Sequence, residues 1–301
     1  MHTVFDEDRA RRLLSVACTG AGLPEPARAR LLALGENAVF DLGRPALVAK
    51  VGRDPVLAER AARELAVARW LDRSGIPVVR PADDLAEQPA TAQGHPVTFW
   101  HRLAPAVRPA NAADLGPLLR ALHLLADPPA PPAPLPRRDL LAPVERWLGA
   151  AEGHLDPADA DQLRALAADQ AAAVAAQQPL LPPGVIHGDA LPRNVHVGPG
   201  GPVLLDLETV ADDLREHDLV VLALAHHRYG VPEREYLEFT RGYGWDVREW
   251  AGWPVLRAAR EIAATAWLAQ RVPGDPAVLA EFRHRMAGLR EPGRAGRWHA
   301  V

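Results

Sequence analysis

The sequence predicts an α+β fold, with a small antiparallel sheet in the first hundred residues and a mainly helical remainder. Three observations carry this. Short strand-like runs at 31–34, 38–42 and 46–51 are separated by Gly35-Glu36-Asn37 and Gly43-Arg44-Pro45, the pattern of a meander. Beyond His101 the apolar residues recur mostly at helical spacing, at 112–125, 140–151 and 157–178. The length of 301 residues suits one large domain or two modest lobes.

Taken in order, residues 6–19 read as a helix. Asp54-Pro55 opens a second helix that runs to about Arg73 and stops at Ser74-Gly75. Val78-Val79 and residues 96–100 are further strand candidates. The proline-dense stretch 127–136 reads as an extended surface connection. Residues 185–189 leave a strand and enter a loop. The runs 195–197 and 203–206 flank Gly198-Pro199-Gly200-Gly201, a hairpin signal, and the chain is again helical from Asp218.

Composition excludes several classes. A chain that is 48% hydrophobic and 24% charged, with a formal charge of -4, reads as an ordinary globular protein rather than a dedicated nucleic-acid binder. The single cysteine, Cys18, can form neither an internal disulfide nor a cysteine zinc site, which fits a reducing cytosol. Residues 1–14 lack a signal-peptide core. The longest clean apolar run, 219–225, falls far short of the roughly 18 residues a membrane span needs. A cytoplasmic protein without a membrane partner is the expectation.

The most informative segment is His187-Gly188-Asp189-Ala190-Leu191-Pro192-Arg193-Asn194, followed by Asp206. Its spacing suits metal-assisted phosphoryl transfer. One carboxylate serves the acceptor hydroxyl, an amide oxygen a few residues on reaches Mg²⁺, and a second carboxylate returned by the hairpin holds the same ion. The segment resembles the loop of the aminoglycoside phosphotransferase and choline kinase family, small-molecule kinases with a bilobal protein-kinase-like fold. Glu208 matches an acid that the family often places there. The resemblance runs in order along nearly the whole chain, and it implies an N-terminal nucleotide-binding lobe at 1–100 and a C-terminal catalytic and acceptor-binding lobe at 101–301.

By that resemblance Asp189 is the base, Asn194 and Asp206 hold Mg²⁺, His187 is structural, and Asp218 helps hold the catalytic loop. For Asp218 a helix cap is an equal alternative. Lys50, the only lysine among 34 basic residues, lies on the third strand. There a compact ammonium would meet nucleotide phosphates and a helix glutamate. Leu57, Ala61, Glu64, Ala68 and Leu71 form one helical stripe, which selects Glu64 over Glu59 as the partner. Gly35 and Asn37 mark the turn over the phosphates, although only one glycine is present. Residues 98–103 stand where the hinge belongs, so the backbone there, at Phe99, Trp100 and Arg102, is expected to meet the purine of ATP or GTP. His123 reads as a buried, hydrogen-bonded helix histidine, and His226-His227 do not face one another as a zinc pair would.

Residues 206–261 hold 12 acids and 7 bases, and 229–267 hold 8 of the 16 aromatics. The resemblance places the acceptor pocket in this region. These residues therefore suggest a cationic or hydroxyl-rich acceptor, or else a solvated acidic face over an aromatic core. The expected activity is an ATP-dependent O-phosphotransferase acting on an aminoglycoside or other hydroxylated antibiotic, with a resistance role. A metabolic kinase for a sugar or choline-like amino alcohol, or a nucleotide-binding module without turnover, is the alternative.

Overall fold

The computed structural model describes residues 5–85, 87–125, 131, 133–291 and 296–299. Residues 127–130 and 132 of the proline-dense stretch lie outside the described residues. The chain forms two compact units. The first comprises Met1–Ala110, Leu124–Leu135 and Arg193–Val210, and the second Asn111–His123, Pro136–Pro192 and Ala211–Val301. The units are discontinuous, so a single cut at 100/101 does not separate them. One reason is local. The hairpin Val195–Gly198/Gly201–Leu204 joins the first unit, with the Leu204 N–H donating to Pro77 O (2.9 Å) and the Val79 N–H donating to Leu204 O (3.0 Å). Val78 thus makes an isolated bridge to Leu204 rather than a strand of its own.

In the first unit α1 (Glu7–Gly20) is capped by Asp6, whose carboxylate accepts from the Arg9 N–H at 2.8 Å. The sheet contains β1 (Arg30–Leu34), β2 (Asn37–Asp41), β3 (Leu47–Gly52), β4 (Ala90–Ala92) and β5 (His95–His101). Its order is β1-β2-β3-β5-β4, antiparallel throughout. The two-residue alternation of strands decides what each face carries. Ala38 and Phe40, Leu47, Ala49 and Val51, and Val97 and Phe99 share a buried core with Leu13, Leu14 and Ala17 of α1. Each fully buried leucine there contributes roughly 1.5–3 kcal/mol. The alternate positions, including Asn37, Lys50 and Thr98, therefore point to the opposite face. Behind that face Pro55–Leu57 forms a single 3₁₀ turn leading into α2 (Ala58–Arg73).

In the second unit α3 (Ala112–His123), α4 (Val144–Gly149), α5 (Pro157–Ala175), α6 (Glu216–Tyr229), α7 (Glu233–Tyr243), α8 (Trp253–Ala269) and α9 (Pro276–Arg290) surround a short ribbon, Gly184–Ile186 paired with Ala211–Asp213. α4 is shorter than the periodicity suggested, because Asp139 accepts from the N–H groups of Leu141 and Ala142 and turns the chain before the helix begins. α4, α5, α8 and α9 bury a shared core built on Leu148, Leu163, Ile262, Ala266, Phe282 and Met286.

α3 and α7 touch backbone to backbone. A Cβ on Gly116 would lie 2.6 Å from Phe239 O and 3.0 Å from Tyr243 N. In an ordinary helix Gly→Ala gains up to about 1 kcal/mol of propensity. Here the clash is with main chain and costs more, so Gly116→Ala should destabilise the protein by about 1–3 kcal/mol. A urea midpoint equal to or above wild type would contradict this.

Candidate active site

Lys50 sits on β3 opposite Val39 of β2 and Thr98 of β5, on the face turned away from α1. Its ammonium donates to Glu64 Oε1 (3.1 Å) and Oε2 (3.0 Å) and to Glu208 Oε2 (3.0 Å), and it lies 3.5 Å from Asp206 Oδ1. Glu64 projects from the buried stripe of α2 and its side chain is 5% exposed. Burial alone would lower the Lys50 pKa, but Glu64, Glu208 and Asp206 outweigh it and hold the ammonium well above its ordinary range. The Glu64 pKa is pushed up, first by burial and then by the neighbouring acids, against the pull of Lys50.

The cluster extends through Arg60, one turn before Glu64. Its guanidinium pairs with Glu36 in the β1–β2 turn (2.9 Å) and approaches Glu208 (3.6 Å). Glu36, Glu64, Asp206 and Glu208 thus gather around Lys50 and Arg60. Asn37, Lys50, Arg60, Glu64, Thr98 and Glu208 line one small cavity here. Oxygens of Glu64, Asp206 and Glu208 lie within 4.8 Å of one another. All three acids are engaged by the Lys50 ammonium, Asp206 at the longest distance and with its side chain 44% exposed.

Asn194 ends the 3₁₀ turn Pro192–Asn194, and Asp206 follows the second strand of the hairpin. The Leu205 N–H donates to Asn194 O (2.9 Å), so pairing of the hairpin holds the two positions across from each other. An amide oxygen and an exposed carboxylate are the hard-oxygen chemistry that Mg²⁺ takes. Asp206 also adopts a left-handed backbone, φ 56° and ψ 62°. A non-glycine residue there is strained, and such strain concentrates at functional positions.

The expected purine contacts separate. Phe99 faces the α1 core, its N–H donates to Gln88 Oε1 (2.7 Å), and its carbonyl accepts from Ala82 N–H. Trp100 is buried and its indole N–H donates to Thr98 Oγ1 (2.8 Å). Arg102 pairs with Asp41, and its N–H donates to Ala46 O. None of the three lines the cavity around Lys50, whereas Asn37 does. Gly35 is in the β1–β2 turn, where its N–H donates to Asn37 O (3.0 Å).

The second unit holds the catalytic-loop segment. Gly188 has φ 83°, a conformation suited to glycine. Asp218 accepts the His187 N–H and the Gly188 N–H, each at 2.7 Å, and bonds His123 Nε2 (3.0 Å), which in turn contacts Tyr243 through Nδ1 (2.9 Å). Asp218 thus fastens the loop instead of capping its own helix. Burial opposes its charge, yet His123 and His187 hold its pKa below the usual carboxylate range. The Gly188 carbonyl accepts from two guanidiniums, Arg138 (3.2 Å) and Arg260 (2.9 Å), so this peptide is gripped at both ends by charge. Asp189 follows, 26% exposed, with Arg260 Nη1 at 4.0 Å.

Most acids of 206–261 are engaged locally. Glu216 accepts from Leu180 and Leu181 N–H, Asp246 pairs with Arg248 and Tyr236, and Glu261 pairs with Arg228. Tyr236, Phe239, Tyr243 and Trp250 are buried. The acidic and aromatic bias of this region is largely internal structure.

The profile of the phosphotransferase enzyme family matches residues 30–259. The chain belongs to that family. Solved structures share its kinase-like fold. An amicoumacin kinase, solved with AMP-PNP, Ca²⁺ and amicoumacin, is 14% identical over 98% of this chain and 96% of its own, with a TM-score of 0.69. A microcompartment-associated aminopropanol kinase is 18% identical over 92% and 94%, with a TM-score of 0.66. A choline/ethanolamine kinase family protein from Mesorhizobium loti is 22% identical over 94% of each chain, with a TM-score of 0.61. No curated protein matches the chain in sequence. Among the described residues no helix is long and apolar enough to cross a membrane.

Arg60, Arg138 and Arg260 were not singled out from sequence. Arg60 was accessible to the same periodicity that selected Glu64, being four residues before it. Arg138 and Arg260 reach the loop from 50 and 72 residues away, and no local pattern marks them.

Replacing Asp206 by Gly removes the left-handed strain together with one carboxylate partner of Lys50. The two effects oppose each other, so stability in urea should stay within about 1 kcal/mol of wild type while turnover is abolished, and retained turnover would count against Asp206 as a metal ligand. His217 offers a pH test. Burial, then Arg260, holds its pKa down to about 4 from the ordinary 6.5. The unfolded chain takes up a proton below 6.5 that the native state refuses until about 4. This contribution is therefore fully present at pH 7 and falls by about 3 kcal/mol as pH drops through that window. His217→Gln should flatten the difference in urea stability between pH 7 and pH 4.

Proposed function

We propose that this phosphotransferase moves the γ-phosphoryl group of ATP to a hydroxyl of a small molecule. The observation that carries the reading is the Lys50 cluster, in which one ammonium is fixed by Glu64 beside the Glu208 carboxylate and an exposed, left-handed Asp206. Such a site suits a divalent cation and the phosphates it accompanies. Asn194 and Asp206 would hold Mg²⁺, which supplies charge balance to the transferring group when bound. Lys50 bears on phosphate oxygens, and Glu64 keeps its side chain from turning toward solvent. Asp189 accepts the proton of the acceptor hydroxyl as the new O–P bond forms and the bond to the β-phosphate oxygen breaks, releasing ADP. The grip of Asp218, Arg138 and Arg260 on the preceding peptides fixes where that carboxylate stands.

The acceptor is a hydroxylated small molecule of the kinds named for its structural relatives, with amine-bearing antibiotics and amino alcohols first among them. Phosphorylation of an antibiotic would make the protein a resistance factor.

Asp189→Asn should lower turnover by about 10²–10⁴-fold while MgATP still binds. Lys50→Arg should also lose most turnover, since a planar fork cannot replace a point donor shared by three carboxylates. Full activity in either variant, read by ATP consumption over aminoglycosides, nucleoside antibiotics, sugars and amino alcohols, would overturn the assignment.

A further inference from the structure

The β1–β2 turn poses an electrostatic problem. Phosphate-binding turns ordinarily bring backbone N–H groups close with glycine, and an acid among them repels the phosphates. Here the turn between Leu34 and Asn37 is Gly35-Glu36. Its backbone is tied down, with the Arg53 N–H donating to Glu36 O (3.2 Å) and the Gly35 N–H to Asn37 O (3.0 Å). Arg60 reaches the Glu36 carboxylate at 2.9 Å and stands 3.6 Å from Glu208, the acid that Lys50 also binds. Glu36, Arg60, Glu208, Lys50 and Glu64 thus form a ladder of alternating charge from the turn, through α2, to the centre of the sheet. The Arg60 side chain is 25% exposed, and its pKa is raised: burial opposes the charge, but Glu208 and Glu36 outweigh it.

We infer that Arg60 is a positioning residue for the nucleotide: by pairing with Glu36 it neutralises the acid in the phosphate-facing turn and ties that turn to the helix carrying Glu64. This rests on the reading of the Lys50 cavity as a nucleotide site. Arg60 acts through Glu36, so its effect belongs to ligands that carry phosphates.

The test is calorimetric binding of MgATP and, separately, of adenosine to the full-length protein and to Arg60→Met, Glu36→Gln and the double variant. Arg60→Met should bind MgATP about five-fold more weakly, the factor for roughly 1 kcal/mol in a partly exposed pair. Its adenosine affinity should stay at the wild-type value. Glu36→Gln in the Arg60→Met background should recover part of the loss, because the acid left without its partner is then gone. Equal loss for MgATP and adenosine would mean that Arg60 only supports the fold, and unchanged MgATP binding or an absence of recovery would equally overturn the inference. If the wild-type protein itself binds no MgATP, the nucleotide reading fails first.

Discussion

A single ammonium surrounded by carboxylates is the constraint on which the first unit depends. Lys50 is mostly buried, and taking a charge out of water costs several kcal/mol unless partners replace the solvent. Those partners come from separate stretches of chain, Glu64 from α2 and Asp206 and Glu208 from beyond the hairpin. Each must be in place for the others to be tolerable. The alternation of β3 fixes which way the lysine points, the helical stripe fixes Glu64, and pairing of the hairpin with Pro77 and Val79 fixes the turn that carries Asp206. The cluster is therefore a demanding check on the fold.

The second unit solves a related problem with the signs arranged differently. A loop that must present Asp189 has backbone groups to satisfy, and here charged side chains do it. Asp218 takes two N–H groups, while Arg138 and Arg260 share one carbonyl. Charge-assisted bonds are about twice as strong as neutral ones, and they arrive from three different elements, so the loop has little freedom to rotate as a unit.

Legibility followed distance along the chain. The meander, the Asp54-Pro55 helix start and the hairpin declared themselves through local rules, and Lys50 and Glu64 through strand position and helical period. The same alternation accounts for Phe99, whose side chain shares parity with Val97 and faces the α1 core. The short β4 and the strand Ala211–Asp213 escaped because three residues give no period. The acidic bias of 206–261 left two readings open, an acceptor site and a solvated face. A charge count does not show that Glu216, Asp246 and Glu261 already have partners in the fold. Arg138 and Arg260 were invisible because their significance lies in one carbonyl oxygen far away in sequence.

The lone lysine has a consequence for the covalent chemistry of the protein. Every other basic side chain is a guanidinium, so Lys50 is the sole side-chain amine available to acylation, carbamylation or Schiff-base formation. Its neighbours keep it protonated, and a protonated amine has no lone pair to offer. The carboxylates that hold Lys50 in place thereby shield it from electrophiles, and the folded chain presents almost no lysine reactivity at all.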